Sequence, residues 1–268
     1  MTTGPVKKAV REGWRSRPMH FLARAGFAVN GLVHGIIGLL AIGVATGAAG
    51  QADHGGALGQ IASSPGGVLT LWVVTIALAA LGVWLILGAF LLRSYDPKKR
   101  VARGVVEAGK GLAYLLLAGT ALTFARGGQS DSEAEVDSLS ADLIATPGGM
   151  LALLALATLV VIIGCYFVVK GVRRRFVDDI ALPDGKVGRA VVALGVFGYT
   201  AKGIALAVMG GLLAIAAVKA DPSQASGLDG SLRALAELPL GQVILVLIGL
   251  GFIAYGVYCF VRARLARL

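Results

Sequence analysis

The sequence predicts an all-α integral membrane protein with six transmembrane helices. Of the 268 residues, 56% are apolar and only 15% are charged, and the mean hydropathy is +0.79. An ordinary soluble domain is about 25% charged, so a soluble globular fold is excluded. The apolar content also excludes a disordered chain, and the two cysteines exclude a disulfide scaffold.

Six stretches carry the roughly 20 mostly apolar residues that a helix needs to cross the hydrocarbon core. None alternates apolar and polar residues with period two, which excludes a transmembrane β-barrel. The first apolar run is about 22 residues, longer than the 7 to 15 of a typical signal peptide, so we interpret it as a span. The predicted spans are Gly26–Gly47, Gly66–Leu92, Gly104–Ala125, Gly148–Gly171, Ala190–Val218 and Leu240–Val261.

The distribution of Lys and Arg predicts the orientation, because positively charged short loops remain cytoplasmic. Twenty of the 25 basic residues lie in the N-terminal segment, the second and fourth loops and the tail. We therefore expect a multi-pass protein of the inner (plasma) membrane with both termini cytoplasmic. Its expected partners are a bilayer with anionic inner-leaflet lipids and, in addition, other membrane proteins. The net charge of +10 follows from this topology and does not indicate nucleic-acid binding.

The chain repeats a two-span unit three times. The odd-numbered spans open alike around Asn30-Gly31, Lys110-Gly111 and Lys202-Gly203. Each even-numbered span follows a proline, and a glycine and an aromatic residue come 17 and 19 residues after it. These prolines are Pro65, Pro147 and Pro239, and the glycine and aromatic pairs are Gly82 and Trp84, Gly164 and Tyr166, and Gly256 and Tyr258.

Each unit holds an even number of spans, so the three units share one orientation and are related by an axis along the membrane normal. We predict a pseudo-threefold ring of three parallel hairpins, and place each proline in the first turn of the span that follows it. Short amphipathic stretches before the even-numbered spans are expected to be interfacial helices on the outer face. The predicted organisation is a basic segment 1–22 and repeats 23–94, 101–176 and 187–268.

The repeated motifs resemble those of the bacterial membrane family catalogued as domain of unknown function 1206. The resemblance rests on the glycine-aromatic-x-x-Lys-Gly opening, the Pro-x-Gly before each second span and the late Gly-x-Tyr. The third copy matches best, the first has Asn30 at the basic position, and the second has Glu107 at the aromatic position. The resemblance implies six spans and inner-membrane residence, and it carries no activity.

Ionisable groups inside spans are costly and therefore candidates for function. Lys110 and Lys202 either extend to the headgroups as anchors or, with Asn30, face a shared cytoplasmic vestibule that binds an anion. Glu107 shares a helix face with Lys110, which favours an internal ion pair over a proton-titrating carboxylate. His34 lies one helical turn after Asn30. It is either a structural histidine or a site that binds a proton or a ligand, and Tyr114 is the equivalent residue of the second repeat.

Trp84, Tyr166 and Tyr258 are expected either to pack beside the repeated glycines or to line a central cavity. Cys165 and Cys259 are expected to be free buried thiols. The acidic segment Asp131–Asp142 is interpreted as a solvated flexible loop, with weak cation binding as the alternative. No Cys or His cluster has metal-ligand spacing, so neither a metal nor another cofactor is expected.

The scarcity of polar groups in the spans favours a non-enzymatic helical scaffold or accessory protein that binds lipid or partner helices. The alternative is a small transporter or channel with a cytoplasm-facing polar site between the three repeats. A membrane enzyme has the least support, because no convergent polar cluster for catalysis is visible. Convergence of Asn30, His34, Glu107, Lys110 and Lys202 on one cavity would favour transport.

Overall fold

The computed structural model describes residues 17–48, 50–91 and 97–266, and this part of the chain is all-helical, with nine α-helices and no strand. Predictions for residues 1–16, 92–96 and 267–268 lie outside the described residues. The helices are α1 Arg17–Ala45, α2 His54–Ala62, α3 Gly67–Leu91, α4 Pro97–Ala125, α5 Ser132–Ala145, α6 Gly149–Val172, α7 Gly185–Lys219, α8 Leu228–Ala236 and α9 Gly241–Leu265.

Six of these helices, α1, α3, α4, α6, α7 and α9, are long and apolar enough to cross a membrane. The six predicted spans are therefore confirmed as long apolar helices, although their ends differ. Helix α7 begins five residues before the predicted Ala190 and runs for 35 residues. At 1.5 Å per residue it is about 52 Å long, which exceeds a hydrocarbon core of roughly 30 Å.

The prediction that each proline lies in the first helical turn is wrong. The even-numbered spans begin at Gly67, Gly149 and Gly241, two residues after the proline. The residue between them adopts a left-handed conformation, with φ of 75° at Gly66, 80° at Gly148 and 63° at Leu240. The chain thus turns sharply before each span, which requires a conformation that glycine adopts at little cost.

Three reciprocal glycine contacts join the successive repeats. A Cβ built on Gly82 of α3 would lie 2.8 Å from the backbone oxygen of Gly111 of α4. The corresponding distance is 2.7 Å from Gly164 of α6 to Gly203 of α7, and 2.6 Å from Gly256 of α9 to Gly31 of α1. When the Cβ is built on the other glycine of each pair, its distance to the partner's backbone oxygen is the same within 0.1 Å. These backbones approach as closely as small residues at membrane-helix interfaces allow.

Contacts within the hairpins differ between the repeats. Gly26 of α1 packs on Leu81 of α3, and the equivalent Gly198 of α7 packs on Tyr255 of α9. The middle repeat has Val106 at this position, and its side chain is 47% exposed. Helices α4 and α6, which form this repeat, are not among the closely packed pairs of the described residues. The loss of a glycine therefore accompanies a splayed second hairpin.

The short helices α2, α5 and α8 meet at their N-terminal ends, on the side of the bundle remote from the basic loops. The backbone N–H of Ala52 donates to Asp229 at 2.6 Å, and Gln51 Nε2 donates to Asp131 at 3.2 Å. The N–H of Gly227 donates to Glu133 at 3.0 Å. Carboxylates at helix N-termini satisfy otherwise unpaired N–H groups. These contacts tie the three connections into one cap over the bundle.

The prediction of a flexible acidic loop is wrong for most of its length. Residues 132–145 form α5, and Asp131 is its N-cap, accepting from the N–H groups of Glu133 and Ala134. Glu133 and Glu135 lie in the first turn, where negative charge interacts favourably with the helix dipole. The acidic residues thus begin a helix that is one turn longer at its N-terminus than α2 or α8.

Candidate functional site

A hydrogen-bonded pair of basic side chains lies between α1 and α7. Lys202 Nζ is 2.9 Å from His34 Nε2, and His34 Nδ1 is 2.9 Å from the backbone oxygen of Asn30. Because a carbonyl oxygen only accepts, the hydrogen belongs on Nδ1, and Nε2 is left to accept from Lys202. The arrangement therefore consists of a lysine donor and a neutral imidazole acceptor.

Both bases lie among aromatic rings. Lys202 Nζ is 4.6 Å from the ring centroid of Tyr255 and 5.3 Å from that of Phe167. The His34 ring is 4.8 Å from the Tyr255 ring and 5.9 Å from the Phe252 ring, and His34 is only 2% exposed. Aromatic faces attract a cation without neutralising it. No carboxylate forms an ion pair with Lys202 within the described part of the chain.

A second histidine reaches this pair from the cap. His54 is the first residue of α2, and its ring centroid is 5.5 Å from that of His34. Burial, followed by the charge of Lys202, lowers the pKa of His54 to about 4. Its neighbour Asp53 caps α2 by accepting from the N–H of Gly56 at 2.7 Å, and burial raises the pKa of Asp53.

A small cavity lies beside Asn30 and His54. It has a volume of about 10 Å³ and is lined by Asn30, Val33, His54, Leu58, Leu78 and Leu117. This volume is at the lower limit for one water molecule. Asn30 Nδ2 donates to the Sγ of Cys259 at 3.3 Å, which connects α1 to α9 beside the cavity.

The structure brings together some of the predicted site residues and separates others. Asn30, His34 and Lys202 meet in the bundle, whereas Glu107 and Lys110 form their own ion pair of 2.7 Å on α4. Tyr114 is partly buried in the apolar clusters that join α3 to α4. Lys202 points at His34 and therefore does not extend to the headgroups as an anchor.

The three repeat-equivalent aromatics lie in different environments. Tyr258 is fully buried, and its hydroxyl donates to the backbone oxygen of Phe176 at 3.2 Å. Trp84 packs beside the cluster that contains Phe27, while Tyr166 is 43% exposed. None of them lines the small cavity beside Asn30. Both cysteines are free, but Cys165 is exposed, so the expectation that it is buried is wrong.

The basic end of the bundle is closed by a short turn, Arg175–Asp179. Phe176 is fully buried, with its ring 5.3 Å from that of Tyr199 and 5.2 Å from that of Tyr258. Asp179 pairs with Lys170 at 2.7 Å and with Arg262 at 3.6 Å. Burial alone would raise the pKa of Asp179, but the two cations outweigh it and hold that pKa below its ordinary value.

Comparison with known proteins gives the family of this chain. The model of the family described as Domain of Unknown Function (DUF1206) matches residues 25–91, 107–174 and 197–266. The chain belongs to the DUF1206 family. It is also 30% identical over 246 residues to the uncharacterized protein YxxB of Bacillus subtilis (strain 168), covering 89% of this chain and 88% of that protein. No solved structure matches it.

The three DUF1206 units thus contribute unequally to the polar cluster. The first unit supplies Asn30 and His34, the third supplies Lys202, and the middle unit has Lys110 paired with Glu107 instead. Sequence reasoning missed His54, because it lies outside the spans and the repeated openings. Its one sequence signal is its position just before the amphipathic stretch that begins at Ala57.

Proposed function

We propose that this DUF1206 protein is a small, non-enzymatic membrane transporter that binds and passes protons through its helical bundle. It resides in the inner membrane with both termini in the cytoplasm, as the distribution of Lys and Arg supports. The three hairpins form a pseudo-threefold ring around the membrane normal. The reciprocal glycine contacts support this ring, because the same two repeat positions meet at all three junctions between units.

One observation carries the proposal: two bases, Lys202 and His34, share a hydrogen bond of 2.9 Å in the middle of apolar helices. An N–H···N bond needs one donor and one acceptor, so the pair holds the shared hydrogen and can exchange a proton without separating. Ionisable groups inside spans characterise proton relays and ion pathways. Among the described residues, the other titratable groups that face the pair are His54 from α2, and Tyr255 and Cys259 from α9.

The close packing around His34 favours a proton over a larger ligand. Its side chain is 2% exposed and lies against the rings of His54, Tyr255 and Phe252, whereas a proton needs only the lone pairs of the bases. Carboxylates lie toward both ends of the bundle. Asp53 adjoins His54 at the cap, and Asp179 lies at the basic end beside Lys170 and Arg262. These carboxylates support the proposal, because a carboxylate can take up and release a proton at each end.

The test is proton flux in vesicles. The full-length protein is reconstituted with an internal pH-sensitive dye, and a potassium diffusion potential drives protons inward. The proposal expects flux above that of protein-free vesicles and its loss in Lys202→Met, which keeps the side-chain length. Lys110→Met is the matched control, because it removes an intramembrane lysine outside the pair, and it should retain the flux. Wild-type flux equal to that of empty vesicles would overturn the proposal.

The exposure of α4 and α6 favours scaffolding as a second candidate. In the most apolar 18-residue stretch of each of these helices only 17% is buried inside the protein, compared with 39% to 56% in the other four spans. An accessory protein that binds lipid or partner helices would use such a surface. Purification in mild detergent with mass spectrometry would identify a stoichiometric partner, and Val106→Arg should release it. Retention of the partner by that variant would contradict binding at the splayed hairpin.

A further inference from the structure

A groove remote from the Lys202–His34 pair lies at the basic end of α7. It has a volume of about 920 Å³ and runs from the end of α6, past the turn at Arg174, along the first four turns of α7. This is toward the upper end of the roughly 300 to 1,000 Å³ typical of ligand sites. Its lining residues include Val172, Arg174, Asp184, Arg189, Phe197 and Thr200.

Charged and apolar lining residues are separated along the groove. Arg174, Asp184 and Arg189 lie at the end of the groove nearest the loop, and their side chains are exposed. The apolar lining follows one face of α7 through Val192 and Val196, which are spaced one turn apart. A ligand that fits this groove has an anionic head and an apolar tail, because two cations outnumber the one carboxylate.

The length of the apolar part fits one leaflet of a bilayer. Thr200 follows Arg189 by eleven residues, a rise of about 16 Å along the helix. Half of a hydrocarbon core of roughly 30 Å is about 15 Å. The groove is also open at the side, since Val172 is 61% exposed and Phe197 is 42% exposed. An acyl chain can therefore enter from the bilayer without passing through the bundle.

We propose that this groove binds one anionic phospholipid of the cytoplasmic leaflet. The phosphate lies between Arg174 and Arg189, where guanidinium groups provide paired donors for phosphate oxygens. One acyl chain lies along Val192 and Val196 toward Thr200, whose hydroxyl marks the deep end of the groove. This site is separate from the proton-binding pair and does not depend on proton transport.

The test measures lipid binding by the purified full-length protein in mild detergent, using native mass spectrometry. The probes are phosphatidylglycerol and, as a zwitterionic comparison, phosphatidylcholine. The double variant Arg174→Gln/Arg189→Gln should bind phosphatidylglycerol about 10- to 30-fold more weakly, because it loses both charge-assisted contacts to the phosphate and each contributes about a factor of five in affinity. The matched control is Arg173→Gln/Arg175→Gln, which removes two exposed charges from the same segment but none from the groove lining. It should change binding by less than about threefold, because the phosphate contacts remain and exposed charges that do not touch the phosphate are screened by salt.

A steric variant separates a fitted lipid from diffuse charge attraction. Ala193 lines the groove and is exposed, so Ala193→Trp fills the groove without changing the charge. It should weaken phosphatidylglycerol binding by about tenfold or more, because the acyl chain loses its place. If its circular dichroism shows misfolding, Val172→Trp at the open rim takes its place. Equal losses in the two arginine double variants, unchanged binding in the tryptophan variant, equal binding of phosphatidylcholine, or a second copy of the chain in place of lipid would each overturn the proposal.

Discussion

The contact between Gly31 and Gly256 predicts that one added methyl group destabilises the bundle. In Gly31→Ala the new Cβ would lie 2.7 Å from the Gly256 backbone oxygen and 3.1 Å from the Cβ of Cys259. Ordinary contacts begin at 3.4 Å, so α1 and α9 must separate by about 0.7 Å at their crossing. Overpacking of this kind costs about 1 to 3 kcal/mol.

Gly35→Ala is the matched control, because Gly35 lies one turn away in α1 and nothing occupies the 4 Å around its Cβ position. Both substitutions gain the same helix propensity, up to about 1 kcal/mol, so the difference between them isolates the crossing. Thermal unfolding in detergent, followed by circular dichroism at one scan rate, should give a Tm for Gly31→Ala that is about 2 to 10 °C below that of Gly35→Ala. Equal Tm values would refute the close approach of α1 and α9.

Three further predictions concern the turns and charges outside the spans. Leu240→Gly should raise the free energy of unfolding by about 1 kcal/mol. Leu240 has a left-handed φ of 63°, which costs a residue with a Cβ more than it costs glycine, and its 78% exposed side chain loses little packing when it is removed. A lower Tm would contradict this prediction. Asp179→Asn should lower the Tm at neutral pH and have progressively less effect below about pH 3.8. The ion pairs that lower the pKa of Asp179 stabilise the fold only while its carboxylate is charged. An effect independent of pH would argue against these ion pairs. His54 should contribute a fall of roughly 3 kcal/mol in the stability of the wild-type protein between pH 6.5 and about 4, where the unfolded chain protonates His54 and the folded chain does not. In chemical denaturation His54→Gln should make the fall with pH smaller, and an unchanged slope would refute the burial of a neutral His54.

Much of the fold could be predicted from the sequence, because the energetics of burial in lipid act on each span separately. Apolar length alone locates the six long helices. The repeated spacing located Gly82, Gly164 and Gly256 but not their partners, because the choice of partner depends on how the units pack. The splayed middle hairpin had a signal in the alignment of the repeats, namely Val106 where the other two units have glycine.

The polar cluster was harder to predict, because it depends on contacts between distant parts of the chain. His34 and Lys202 are 168 residues apart, and no local pattern shows that their helices face each other. The repeat alignment treated Lys110 and Lys202 as equivalent, yet Glu107 provides Lys110 with a partner within its own helix. His54 approaches the pair only because the cap positions α2 against α1.

The most direct test of the proton-binding pair is solid-state NMR of the full-length protein in bilayers, with ¹⁵N in the lysine Nζ and histidine ring nitrogens. We predict a cross-peak between Lys202 Nζ and His34 Nε2, absent from Lys202→Met, and a single pH transition in which both signals shift together. A Lys202 signal that shows no contact with His34, or that stays unchanged while His34 titrates alone, would contradict a proton shared between these two side chains.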